Sequence, residues 1–201
     1  MKKQFILLAL VSVIGFQSNA QIADKAVDIS PLLIGEVFPN ILLKSQDASE
    51  HFTLNILSKK PTIILFYRGG WCPYCNAHLA EIQEAESEIL ELGYQIVAIS
   101  PDTPENLKIT DNKNKINYGL YSDSDGELIK AVGIAFKSPE KYGKMLSVKS
   151  GGLNEGFLPV PAVFIVDTSG KILFEYINPD YKTRLSASLL IAVLKNLGIK
   201  K

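Results

Sequence analysis

Residues 62–93 constrain the fold most. Thr62-Ile63-Ile64-Leu65-Phe66-Tyr67 runs directly into Arg68-Gly69-Gly70-Trp71-Cys72-Pro73-Tyr74-Cys75. Six branched and aromatic residues in a row suit a strand buried on both faces. Beyond the cysteines, Leu79, Ile82, Ala85, Ile89, Leu90 and Leu92 recur at three- and four-residue steps up to Gly93. That spacing predicts one long amphipathic helix with Pro73 in its first turn and Gly93 as its stop. Gln95–Ser100 is a second apolar strand, so the segment reads as a right-handed β-α-β unit with parallel strands.

The rest of the chain has room for one core around this unit, because 201 residues fall short of the length at which cores usually divide. Residues 21–49 read as an extended lead-in broken by Pro31, Gly35 and Pro39, and Thr53–Ser58 as a short helix or loop. Pro101-Asp102-Thr103-Pro104 opens a polar helix running to about Asn114. A short strand is expected over Tyr118–Tyr121 and a short helix over Asp123–Val132. Residues 138–156, rich in Lys, Gly and Ser, read as a surface insertion that, lying shortly before Pro161, is placed to border the active site. Residues 161–167 and 171–175 form a hairpin about Thr168-Ser169-Gly170. A last helix is expected over 181–197, with Leu185, Leu189, Val193 and Leu197 on its apolar face.

Residues 1–20 have the layout of a secretory leader: Lys2-Lys3, an apolar run from Phe5 to Phe16, then small residues before a cut after Ala20. An apolar run of about 12 residues is shorter than the ~20 of a spanning helix. Cleavage then leaves no stable membrane anchor, and a single domain over residues 21–201 is expected to be exported, periplasmic or extracellular in the bacterial manner. The 21 basic and 21 acidic residues cancel, so no uniform field selects for nucleic acid. Apolar residues make up 47% and charged residues 21%, which excludes a disordered chain.

Chemistry falls to Cys72 and Cys75, the only two cysteines. At a helix N-terminus, unpaired N–H groups and the helix dipole stabilise a thiolate on Cys72. Cys75 is one turn further on, placed to close an intramolecular disulfide. Arg68 is the nearby full positive charge and Trp71 sits beside the pair. Such chemistry needs sulfurs that visiting molecules can reach. A purely structural disulfide would close too short a loop to add much stability. A zinc site would need His78 and distant His51 beside the two thiols, and haem attachment would need His where Asn76 stands. No metal or cofactor is expected, and His78 reads as a surface residue.

The chain resembles the thioredoxin superfamily across nearly all of residues 21–201. Phe66-Tyr67-Arg68, Ile99-Ser100-Pro101-Asp102-Thr103-Pro104-Glu105 and Ser122-Asp123-Ser124-Asp125-Gly126-Glu127-Leu128 resemble its alkyl hydroperoxide reductase and thiol-specific antioxidant (peroxiredoxin-like) branch. The implied fold is thioredoxin-like α/β, a central mixed sheet flanked by helices. Alignment on Phe66-Tyr67 puts Cys75 at the peroxidatic position, Arg68 where the branch has Pro and Cys72 where it has a hydroxyl. Of the chain's two arginines, Arg184 is the one candidate for the branch's distant activating cation, although a solvated charge at a helix start is its expected role. The superfamily also implies a cis Val160–Pro161 bond against the dithiol, with the Val160 backbone offered to substrate.

Two activities follow from the resemblance. In one, a Cys72/Cys75 cycle reduces hydroperoxides and is restored by a thioredoxin-like reductant. In the other, an exported oxidoreductase acts on protein disulfides with Cys72 as nucleophile. Cys72 and Cys75 would be catalytic; Arg68, Trp71, Val160 and Pro161 would line the substrate site. Cys-Pro-Tyr-Cys also resembles the glutaredoxin motif, implying a freely cycling couple near about −200 to −230 mV.

Overall fold

Every residue of β3 (Thr62–Phe66) is buried, as its composition requires of a strand with helices on both sides. Ile63, Leu65 and Tyr67 face one core with Cys72, Cys75, Leu79 and Ile82. Ile64 and Phe66 face the other, with Phe38, Phe164 and Leu128. The two cores are the two sides of one sheet. The structure is a computed structural model that describes residues 22–154 and 156–198. The expected leader, residues 1–20, lies outside the described residues.

The remaining strands are β1 (Leu42–Ser45), β2 (Glu50–Phe52), β4 (Gln95–Ser100), β5 (Gly119–Ser122), β6 (Ala135–Lys137), β7 (Phe157–Pro159), β8 (Ala162–Val166) and β9 (Ile172–Ile177). The helices are α1 (Thr53–Leu57), α2 (Pro73–Glu84), α3 (Glu86–Glu91), α4 (Pro104–Asn114), α5 (Glu127–Ala131), α6 (Gly143–Lys149) and α7 (Ala187–Leu197). Seven strands make one sheet in the order β2-β1-β5-β4-β3-β8-β9, and β6 pairs β7 separately. β3 runs parallel to β4, with Thr62 opposite Gln95 and Phe66 opposite Ile99. β4 runs parallel to β5, whereas β8 and β9 are antiparallel additions beside β3. This is the mixed, helix-flanked, thioredoxin-like sheet that the resemblance implies.

Three expectations need correction. The long helix is two, α2 and α3, broken at Ala85 (φ −92°, ψ −1°), and no glycine or proline marks the break. The last helix starts only at Ala187, where Ser186 caps it by accepting from Leu189 N–H at 3.3 Å. Its buried residues are Leu190, Ile191 and Leu194, while Leu189 is exposed. Of the expected apolar face, Leu185 is buried ahead of the helix and Val193 and Leu197 pack against the core, so Leu189 is the residue that departs. Residues 138–156 are also more than a surface insertion. They hold a 3-10 turn (Glu140–Tyr142) and α6, and bury Leu146, Ser150 and Asn154.

Candidate active site

β3 ends at Phe66, and the chain turns through Arg68–Trp71 into α2, whose N-cap is Cys72 and whose first residue is Pro73. Proline is well placed there, since its missing N–H has no helical partner at that position. Gly69 has φ +137°, which favours glycine; a Cβ there would collide with Trp71 Nε1 and lie 2.9 Å from Asp102 Oδ1. A Cβ on Gly70 would strike the Thr110 hydroxyl. Asp102, in the loop after β4, fixes the turn by accepting from Gly70 N–H at 2.7 Å. Asn76 closes it from the other side, donating through Nδ2 to Gly70 O (2.8 Å) and Cys72 O (3.1 Å) while accepting from Asn114 Nδ2 (2.9 Å).

Both cysteines are free thiols. They are buried, Cys72 at 1% and Cys75 at 0% exposure, so reaching them requires side chains above them to move. The expectation of an open pair is corrected in that respect. Hydrogen bonding from the Cys75 thiol, more than any other influence, holds Cys72 at about 6. Burial opposes it, and the Cys75 N–H, Arg68 and Arg184 assist. Burial pushes the Cys75 thiol well up, and its interaction with Cys72 adds to this, with Arg184 pulling the other way. The surroundings thus favour ionisation at Cys72, at the helix N-terminus, over ionisation at Cys75.

Arg184 is brought to this pair from the turn before α7, and its Nη2 donates to Cys75 Sγ at 3.4 Å. The expectation that it is a solvated helix-start charge is therefore corrected. His78 is likewise not a surface residue: it is buried, and its Nε2 lies 3.0 Å from Leu185 O. A carbonyl can only accept, so Nε2 carries the proton. Burial first, then Arg184, lowers His78 to about 4, and it stands neutral as a strut between α2 and the turn bearing Arg184.

Arg68 is 4% exposed, with its guanidinium carbon 4.3 Å from the centre of the Tyr181 ring, 5.1 Å from Trp71 and 5.4 Å from Tyr142. Arg68 and Trp71 thus meet at the turn. Val160 and Pro161 do not have the expected form. No described peptide bond is cis, and the Val160–Pro161 bond has the trans geometry that is the lower-energy default by roughly 0.5–1 kcal/mol. Val160 N–H already donates to Ile134 O at 2.9 Å and is not free to pair with a substrate strand. Pro161 instead lines a narrow cavity with His78 and Arg184.

Sequence reasoning missed Tyr142, Tyr181, Asn76 and the clamp role of Asp102. One signal pointed toward Arg184: 19 of the 21 basic residues are lysine, and both arginines converge on the dithiol. Asp102 stood in a quoted motif with no role attached. Nothing local distinguishes Tyr142 or Tyr181 from other surface tyrosines.

The chain is similar to peroxiredoxin Bcp of Escherichia coli (strain K12), 25% identical over 167 residues that span 83% of this chain and 98% of that protein. It is 30% identical over 110 residues to peroxiredoxin bcp1 of Schizosaccharomyces pombe, covering 55% and 56% of the two chains. Among solved structures, reduced Prx3 from Vibrio vulnificus superposes with a TM-score of 0.70 at 17% identity over 82% of this chain and 99% of that one. Peroxidoxin BcpB from Mycobacterium tuberculosis does so at 0.66 and 20% identity, over 84% and 98%. Residues 34–174, which hold the dithiol, the Asp102 clamp and most of the sheet, match the AhpC/TSA family, and the chain belongs to that family.

Proposed function

We propose that this protein is a thiol peroxidase that reduces small hydroperoxides through Cys72 and Cys75. The single observation carrying the reading is the pair of free, buried thiols at the N-terminus of α2 with Arg184 Nη2 3.4 Å from Cys75 Sγ, surroundings that lower Cys72 and raise Cys75. The Cys72 thiolate attacks the distal oxygen of ROOH; an S–O bond forms, the O–O bond breaks, and the departing alkoxide takes a proton to leave as ROH. Cys72 is then a sulfenic acid. Cys75 loses its proton and attacks that sulfur, an S–S bond forms and water leaves. An external thioredoxin-like dithiol reduces the disulfide and is itself oxidised.

Burial favours peroxide over protein disulfide as substrate. A peroxide is nearly as small as water, whereas a protein disulfide must bring bulky chain up to a sulfur that is 1% exposed. Arg68 and Trp71 would meet the peroxide, and Pro161 would act only as wall beside Arg184. The departure from the branch's Pro and hydroxyl leaves peroxide polarisation to the two arginines. Export of the protein is part of the same proposal and rests on the composition of residues 1–20.

Stopped-flow mixing of the reduced protein with hydrogen peroxide, and separately with an oxidised protein substrate, tests this through the fluorescence of Trp71, the only tryptophan. The expected result is a fast phase with peroxide whose rate rises with its concentration, and a much slower response to the protein disulfide. The opposite order would replace the peroxidase with a disulfide oxidoreductase.

A further inference from the structure

A guanidinium buried to 4% ordinarily finds a carboxylate, because an uncompensated buried charge costs several kcal/mol. Among the described residues Arg68 takes part in none of the ion pairs, and its Nε has no hydrogen-bond partner. The buried carboxylate beside this turn, Asp102 in the loop after β4, accepts from Gly70 N–H through Oδ2 while its Oδ1 has no hydrogen-bond partner, and the cation acting on it is Lys149, not Arg68. What surrounds Arg68 is three aromatic rings from three separate parts of the chain. Trp71 comes from the turn itself, Tyr142 from the 138–156 segment, and Tyr181 from the connection between β9 and α7.

The rings brace one another. Trp71 and Tyr142 lie 5.4 Å apart at 38°, and Tyr74, in the first turn of α2, meets Tyr181 edge-on at 5.6 Å. Asp180 shapes the turn carrying Tyr181, accepting from Lys182 N–H (3.2 Å) and the Thr183 hydroxyl (2.9 Å). Ring faces are electron-rich and hold a cation without neutralising it. The cage therefore leaves the charge of Arg68 available, and the Cys72 thiol, four residues on across the same turn, is a group on which that charge acts.

We propose that Tyr142 and Tyr181 are positioning residues whose ring faces hold Arg68 as the counter-ion of the Cys72 thiolate. This rests on the reading of Cys72 as the ionised nucleophile. The charged and titratable groups acting on that sulfur are Arg68 and Arg184 as cations and Cys75 as the proton-bearing neighbour. Tyr67 is buried and feels the charges of Asp102 and Cys75, and His78 lines one narrow cavity with Arg184. The aromatic cage is the part that a proline at position 68 would make useless, so it is tied to this chain's own departure from its family's pattern.

The test is the pH dependence of Cys72 alkylation by iodoacetamide in the full-length reduced protein, located by peptide mass spectrometry. Tyr142 and Tyr181 are each replaced by Phe and then by ring-fluorinated phenylalanines, which keep the shape while weakening the ring face stepwise. Phe is expected to keep the native midpoint. Successive fluorines should raise the midpoint and cut the rate at pH 5 by up to about three- to ten-fold. A flat fluorine series, or a Phe variant that shifts as far as the most fluorinated one, overturns the cage. A native midpoint near 9 would instead overturn the ionised Cys72 itself, which separates the two failures.

Discussion

Arg184 Nη2 stands 3.4 Å from Cys75 Sγ although 109 residues separate them. The contact matters at a particular moment of the proposed cycle. While Cys72 is a thiolate it holds the Cys75 proton in place; once Cys72 is a neutral sulfenic acid, Cys75 must ionise, and Arg184 is the cation that stabilises its charge. Replacing Arg184 with Gln is therefore expected to slow disulfide closure by about ten-fold or more, in line with one opposite charge at close range. Its effect on the first peroxide phase should be smaller. Resolving the two phases by stopped-flow fluorescence checks this, and equal slowing of both would contradict it.

The first phase should follow the ionisation of Cys72. Its lowered pKa means that the thiolate fraction rises as pH increases through about 6 and is nearly complete by neutrality. Peroxide consumption in single turnover is expected to climb between roughly pH 5 and pH 7 and then level off. An increase continuing to pH 9 would match an unperturbed thiol and would not fit this site.

Single cysteine variants separate the two roles. Cys75→Ser should still form a sulfenic acid on Cys72, trapped by dimedone, and stop there. Cys72→Ser should lose the fast phase, because Cys75 is buried and its thiol is held protonated. Sulfenic acid found on Cys75 in the native protein under brief peroxide treatment would reverse the assignment.

The Asp102 clamp is a stability prediction. Asp102→Ala leaves the part-buried Gly70 N–H without its 2.7 Å partner, at an expected cost of about 1–3 kcal/mol in denaturant unfolding. Gly70→Ala should destabilise by a similar amount through overpacking against Thr110. Combining it with Thr110→Ala should recover part of that loss, because the two changes act on one contact.

His78 predicts the acid limit. Its folded pKa is depressed to about 4 from 6.5, so the neutral form stabilises the fold fully above pH 6.5. That contribution, on the order of 3 kcal/mol, is lost as pH falls toward 4. Asp102, raised to about 6, works in the opposite sense: its penalty appears as pH rises from 3.8 through 6. The informative quantity is thus the difference between native protein and His78→Gln, whose amide can still donate to Leu185 O. Melting temperatures from pH 4 to pH 7 should show the gap between them changing in favour of the variant as pH falls.

Much of the frame was legible in the linear chain. The run of branched and aromatic residues at 62–67 suits a central strand, and the cysteines, Pro73 and the periodicity after them read as a helix start. The hairpin over 161–175 was visible in its turn residues. Less visible was the break at Ala85, which no residue type announces, and the exposure of Leu189 on α7, which depends on what the helix packs against. His78 and Arg184 were misjudged because a short window cannot tell a polar residue facing water from one facing a distant part of the fold.

The amino-acid order alone determined the dithiol, its place at a helix N-terminus and the sheet that carries it, because hydrophobic periodicity, proline and glycine act over a few residues. Only the tertiary structure decided the charge state of each sulfur. That depends on burial and on Arg68 and Arg184, which the folded chain brings together from positions as far apart as residues 68 and 184. Electrostatic energy depends on separation in space and on exclusion of water, and neither quantity exists until the chain has folded.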